Sequence, residues 1–262
     1  MNDAMMCRNL WTGREEVVRA HAYERENVFE IQDLSFTLVR GQITGLAGNM
    51  ETDKAQLLLA LAGHVKWDKG QVVFYPKEPA HQEWTYQKDE ARIRRMVSFC
   101  FEHMEWPAKR LVSEMAADMK KMEPWFDEAL FRDLTHRLAV PMEKTFGALS
   151  SGMKKRLQLA LMMARRPEIL ILDEPCAEVD PPGRERMLTL LQEFMEEEDH
   201  AILLSTNMTD DLDRIADRII ILDAGRLAYS GSMDECKEKY SKPGCPLPTL
   251  EELMLAMHEQ EK

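Results

Sequence analysis

The chain has 262 residues, 45% of them apolar and 31% charged, which is ordinary for a soluble protein and long enough for one large domain or two small ones with a real core. Its 34 basic against 46 acidic residues leave a formal charge of −12, which argues against nucleic acid as the main partner, because phosphate backbones need a basic surface or stripe. No stretch approaches the roughly 18 apolar residues of a membrane span, and five scattered cysteines (Cys7, Cys100, Cys176, Cys236, Cys245) without a C-x-x-C pair suggest neither a zinc site nor a disulfide framework, fitting a reducing cytosol.

From the N-terminus, MNDAMMCRNLWTGREE puts charged and polar residues where a secretory signal needs an apolar block. A strand is expected at Gln42–Leu46, then a helix over Ala55–Ala62 and a second strand at Met96–Phe101. The stretch Leu111–Leu149 is Met-rich and helix-favouring without a convincing strand, and reads as an inserted helical subdomain. A helix over Lys154–Ala164, a strand at Ile169–Leu172, a helix opened by Pro182, and strands at Ala201–Ser205 and Arg218–Leu222 complete an alternation that implies a buried, mainly parallel sheet. The basic stretches Arg92, Arg94, Arg95 and Lys154, Lys155, Arg156 read as solvated helix faces. After the break KPGCPLP, the amphipathic TLEELMLAMHEQ reads as a short helix docked on the body, with a partner-binding helix as the alternative.

The sharpest local signal is ILILDEP, Ile169–Pro175, in which four apolar residues make a buried strand and two carboxylates emerge at its C-terminal end, where open α/β sheets bind ligands. In a nucleotide hydrolase Asp173 would hold the magnesium shell and Glu174 would polarise the attacking water. Taken alone, the same residues also describe a strand that merely ends in acids before a proline turn.

About twenty residues earlier stands LSSGMKKRLQLALMMARRPE, with Leu149, Ser150, Ser151 and Gly152 at its head. This segment resembles the LSGGQ signature of ABC ATPases. AEVD, ending in Asp180, resembles the family's D-loop, and LLSTN puts Asn207 where the switch histidine follows a strand. The likeness runs from about residue 30 to 230. It implies a P-loop NTPase of α/β class: one ABC ATPase domain over 1–262, with a RecA-like core and antiparallel β portion (24–102 and 150–230), a helical subdomain (103–149) and a tail (231–262). In that family the signature caps the γ-phosphate of ATP held by the opposite subunit.

The departures from the family pattern carry as much as the matches. The phosphate loop G-x-x-x-x-G-K-[ST] reads Gly48, Asn49, Met50, Glu51, Thr52, Asp53, Lys54, Ala55 here, followed by Gln56. Asp53 replaces the second glycine, and a like charge about 4 Å from a phosphate oxygen costs roughly 4 kcal/mol at an effective dielectric near 20. Ala55 replaces the magnesium-ligating hydroxyl, and Asn207 supplies an amide that cannot exchange a proton near neutral pH. Glu102 takes the Q-loop position as a further magnesium contact, and Tyr23, with Phe29 second, is the candidate adenine-stacking aromatic.

The segments WFDEALF to LDEP and LLSTNM to AYSG resemble bacterial exporter ATPases that pair with a separate membrane subunit. The resemblance therefore implies ATP and Mg2+ as cofactors and a transmembrane permease as partner, contacted through Glu102–Leu111. It also implies a second ABC ATPase subunit, with a heterodimer favoured, no nucleic acid, and a place at the inner face of the cell membrane. The alternative is a non-catalytic regulatory or scaffolding subunit of an ABC complex; a soluble member acting on ribosomes or DNA is disfavoured by length and acidity.

Overall fold

The computed structural model describes residues 2–12, 31–48, 51–101, 106–241 and 246–260, with side chains described for all of these except 51–53 and 258–260. Two sheets organise the fold. Strands β1 (Asp3–Trp11), β2 (Leu34–Val39) and β4 (Lys69–Phe74) form an antiparallel sheet in the order β2-β1-β4. Strands β3 (Ile43–Gly48), β5 (Val97–Cys100), β6 (Ile169–Asp173), β7 (Ala201–Ser205), β8 (Arg218–Asp223) and β9 (Arg226–Ser232) form a second sheet in the order β5-β6-β7-β3-β8-β9. All its pairings are parallel except β8 with β9.

The sequence explains the central strands directly. ILILD and AILLS carry apolar side chains on both faces, and all but the last aspartate are buried, as a strand covered on both sides requires. One face of this sheet packs toward the antiparallel sheet through Leu46, Ile171, Leu203 and Ile220 with Met5, Leu38 and Phe74. Leu170, Leu172, Ile202 and Leu204 join the core shared with the helical stretch.

Helices α1 (Glu51–Leu61) and α2 (Tyr86–Met96) follow β3 and β4. Next come α3 (Val112–Met122), α4 (Glu128–Arg137) and a single 3₁₀ turn at Phe146–Ala148, so the expected strand-poor insert is helical, with one isolated bridge from Leu111 to Thr145. Val112, Met115, Phe126, Phe131 and Leu134 give it a core continuous with that of α5 (Ser151–Met163). Helices α6 (Pro181–Phe194), α7 (Thr209–Ile215), α8 (Met233–Tyr240) and α9 (Leu250–Gln260) complete the chain.

Several boundaries moved for identifiable reasons. The helix expected at Ala55 begins at Glu51, and that expected at Lys154 begins at Ser151, because Ser150 caps it by accepting from the Met153 amide at 3.3 Å. Pro181 and Pro182 share the first turn of α6, where neither missing N–H is needed. The tail helix docks as expected: Leu250 and Leu253 are fully buried, and the Leu250 amide donates to Asp213 on α7 at 3.0 Å.

The solvated reading fails for the second basic stretch. Arg156 is buried and donates to the carbonyls of Leu138 (3.0 Å) and Gly152 (3.3 Å), while Lys154 sits 5.0 Å over the Phe146 ring. In the first stretch Arg92 and Arg94 are exposed and pair with Asp89 and Glu90 one helical turn away, Arg92 also lies 5.7 Å over the Trp84 ring, and Arg95 lies 5.3 Å over Trp125.

Candidate functional site

Because β6, β7 and β3 are parallel neighbours, their C-terminal ends lie side by side, and the residues that leave those ends converge by topology alone. Gly48 ends β3, Asp173 and Glu174 end β6, and Thr206 and Asn207 follow β7. Gly48 stands where a Cβ would lie 3.0 Å from the Leu222 carbonyl, a tight backbone contact that glycine avoids where β3 finishes beside β8.

Lys54, in the second turn of α1, is 2% exposed and points back over these strand ends. Its ammonium donates to Oδ1 of Asn207 and lies 3.8 Å from Oε1 of Glu174. Glu174 is held from three sides: its carboxylate accepts from the Asn207 amide (2.7 Å) and the Thr206 hydroxyl (3.2 Å), its own amide donates to the Ser205 carbonyl (2.9 Å), and Lys155 on α5 donates to its carbonyl (3.0 Å). Its φ of 45° lies in the left-handed region, a conformation that costs a non-glycine residue free energy and persists only where surrounding contacts enforce it. Burial pushes the Glu174 carboxyl above the usual range, with the Lys54 charge and the two donors pulling the other way.

Asp173 is half-buried at the end of β6, beside Ser205 in register. Ala55 presents only a methyl group. Gln56 is buried and directs its amide at the Thr12 hydroxyl on the antiparallel sheet, so its side chain ties α1 to that sheet instead of facing the strand ends. Among the described residues no three His, Cys, Asp or Glu side chains cluster as metal ligands. Asp173 with neighbouring acid Glu174 still fits a hard cation of the magnesium type, which takes one or two carboxylates and keeps waters and phosphate oxygens for the rest.

Of the signature residues, Leu149 is buried, Ser150 and Ser151 are exposed at the start of α5, and Ser150 spends its hydroxyl as the helix cap. Gly152 packs so closely on the D-loop that a Cβ would lie 2.8 Å from the Glu178 carbonyl and 3.2 Å from Val179 Cα. Asp180 stands at the N-cap position of α6 without a side-chain capping bond and pairs with Arg156 at 3.7 Å. Tyr23, Phe29, Asn49, Met50 and Glu102 lie outside the described residues, as do the side chains of Glu51, Thr52 and Asp53. Two contributors escaped sequence reasoning. Thr206 follows the apolar run of β7 between Ser205 and Asn207, of which only Asn207 was singled out, and Lys155 sits in the charged triplet Lys154, Lys155, Arg156, whose inward contacts helical phase decides.

The family model described as ABC transporter matches residues 31–177. The chain belongs to the ABC transporter family. The ABC transporter ATP-binding protein YtrB of Bacillus subtilis is 27% identical over 230 residues, covering 88% of this chain and 75% of the relative. The energy-coupling factor transporter ATP-binding protein EcfA2 of Methanospirillum hungatei is 30% identical over 233 residues, covering 85% of this chain and 57% of the relative. Among solved structures, an ATP-binding subunit of an ABC transporter superposes with a TM-score of 0.78 at 21% identity, over 97% of this chain and 99% of the other. The fold is therefore that of an ABC ATPase cassette, a P-loop NTPase, and the chain is the ATP-binding part of such a transporter. No helix among the described residues is long and apolar enough to cross a membrane; ABC ATPase subunits work with transmembrane components.

Proposed function

We propose that this subunit holds ATP on its own phosphate loop, turns it over weakly there, and works chiefly by completing the site of an intact partner ATPase. The observation that carries this reading is the mixture at one place: Lys54 and Glu174 are retained and in contact, while the side chains at 55 and 207 have lost the hydroxyl and the imidazole. Lys54 supplies the positive charge for the β- and γ-phosphates, and the Gly48 backbone approaches them without a side chain. Glu174, held by Thr206 and Asn207, orients the attacking water, and Asp173 is the protein ligand for magnesium. Magnesium, when bound, neutralises the phosphate oxygens. With a methyl at Ala55 one protein oxygen is missing from that shell, and Asn207 can donate a hydrogen bond to the γ-phosphate but cannot take a proton.

Ser150, Ser151 and Gly152 open α5 at an exposed helix start, the arrangement that presents N–H groups to a phosphate carried by a second subunit. Their preservation beside a decayed loop favours a heterodimer. The likeness of the segments around Leu149 and Asn207 to exporter ATPases supports export through a separate permease, with the subunit peripheral at the cytoplasmic face. The contact of Lys54 with Asn207 favours the second reading, a non-catalytic scaffold, since the phosphate-binding charge is already engaged.

Calorimetric titration with Mg-ATP, with phosphate release followed on the same sample, separates these readings. Binding with little release is expected. No binding at millimolar nucleotide would leave the scaffold, and brisk release would show that the altered loop is competent. In addition, Asp53→Gly, Ala55→Ser and Asn207→His combined should tighten Mg-ATP and raise turnover.

A further inference from the structure

We infer that Asn207 is a positioning residue for Lys54, an internal stand-in for phosphate whose side-chain carbonyl the nucleotide must displace before it can bind. This inference rests on the nucleotide-site reading above and adds to it a determinant of affinity.

The argument starts from the burial of a charge. Lys54 is 2% exposed, and a buried ammonium is tolerated only with partners close by. It has an anion, the Glu174 carboxylate at 3.8 Å, and a neutral acceptor, Asn207 Oδ1, in direct hydrogen-bond contact. Both partners descend from the same pair of strands, and the Asn207 amide also donates to Glu174 at 2.7 Å. Lysine, asparagine and glutamate thus close a three-membered ring over the strand ends.

A phosphate group seated on Lys54 in front of Asn207 must enter that ring. A phosphate oxygen that accepts from the ammonium and the amide together, at about 2.8 Å from each, holds the two groups beyond direct hydrogen-bond contact. The present contact leaves no such gap. Opening it removes a hydrogen bond to a charged donor, a loss that every phosphate ligand must offset. Because a ligand shifts an equilibrium only by its differential affinity for the two states, that loss appears as weaker binding.

The residue type matters. Asn207 is exposed as a whole, and the described structure gives its carbonyl oxygen Lys54 as donor. An acceptor there competes with phosphate for the lysine. Truncation removes the competitor; a carboxylate strengthens it.

The test is titration of the full chain with Mg-ADP and Mg-ATP for wild type, Asn207→Ala and Asn207→Asp, each checked for an unchanged far-UV spectrum and melting transition. ADP is the decisive probe, because it lacks the γ-phosphate to which an amide at 207 could donate. Asn207→Ala should bind ADP about 10- to 150-fold more tightly than wild type, the span set by one hydrogen bond to a charged group. Asn207→Asp should bind ADP more weakly than wild type. Damage to the loop would weaken both variants, so opposite signs are the signature. If wild type binds ADP and Asn207→Ala binds it equally or less tightly, the inference falls while the nucleotide-site reading stands. If neither wild type nor either variant binds ADP or ATP at millimolar concentration, both fall.

Discussion

Gly152 and Glu174 illustrate how single positions carry the site. Any Cβ at 152 meets backbone of the D-loop, at Glu178 and Val179, and backbone cannot swing aside as a flexible side chain can. Gly152→Val should therefore destabilise the fold by about 1–3 kcal/mol and push α5 away from the D-loop. A chemical melt showing wild-type stability would contradict that. At this scale the sequence was most informative where chemistry fixes both residue and order: Lys54, Asp173, Glu174 and the 149–152 signature stand in contiguous motifs. It was silent where a side chain is recruited by helical phase. Lys155 and Arg156 look like a solvated pair in a string of cations, yet one reaches the Glu174 carbonyl and the other is buried against Leu138 and Gly152. Gln56, placed in the loop by adjacency, turns to Thr12.

At the scale of elements, the central strands were legible because burial on both faces writes continuous apolar runs. Strand β1 was not, because DAMMCRNLW is irregular: its pairing slips at two places against β2, and Asn9 has a φ of 47°, so no period of two survives. The joint between the two sheets rests on Arg40, in the turn between β2 and β3. Its guanidinium donates to the Tyr75 carbonyl (2.6 Å), to Glu168 (2.7 Å) ahead of β6, and to the Asp199 carbonyl ahead of β7. Arg40→Ala would strip three acceptors at once, one buried and two partly buried, so a loss of about 2–4 kcal/mol is expected, seen as a fall in Tm of roughly 5–15 °C. Arg40→Lys should recover only part of it, since one ammonium cannot reach three separated acceptors in the guanidinium's planar geometry.

For the molecule as a whole, the described cysteines report on global opening. Burial pushes the thiols of Cys7, Cys100 and Cys176 up to about 12, and that of Cys236 up to about 11. The sign follows from the thiolate being the reactive form: at pH 8 these groups stay protonated in the folded chain, and raising the pH toward 9 should not expose them, whereas in the unfolded chain they titrate in the ordinary thiol range. Alkylation at these four positions, read by peptide mass mapping, should accelerate sharply across the denaturation midpoint. Labelling of Cys100 or Cys176 under native conditions at a rate like that of the unfolded chain would mean that the core behind the strand ends opens locally. The overall architecture was legible from motif order, which ties the strand alternation to a known topology; the antiparallel sheet's composition was not, because strands β1, β2 and β4 come from segments whose pairing is set by long-range contacts.

The docked tail gives α7 a second anchor. That helix starts just after Asn207, and Asp213 near its far end is held by the Leu250 amide and by Lys237 (2.7 Å). Loosening the Leu250–Leu253 turn would remove one of the two contacts that fix Asp213, and with it part of what seats the helix that follows Asn207.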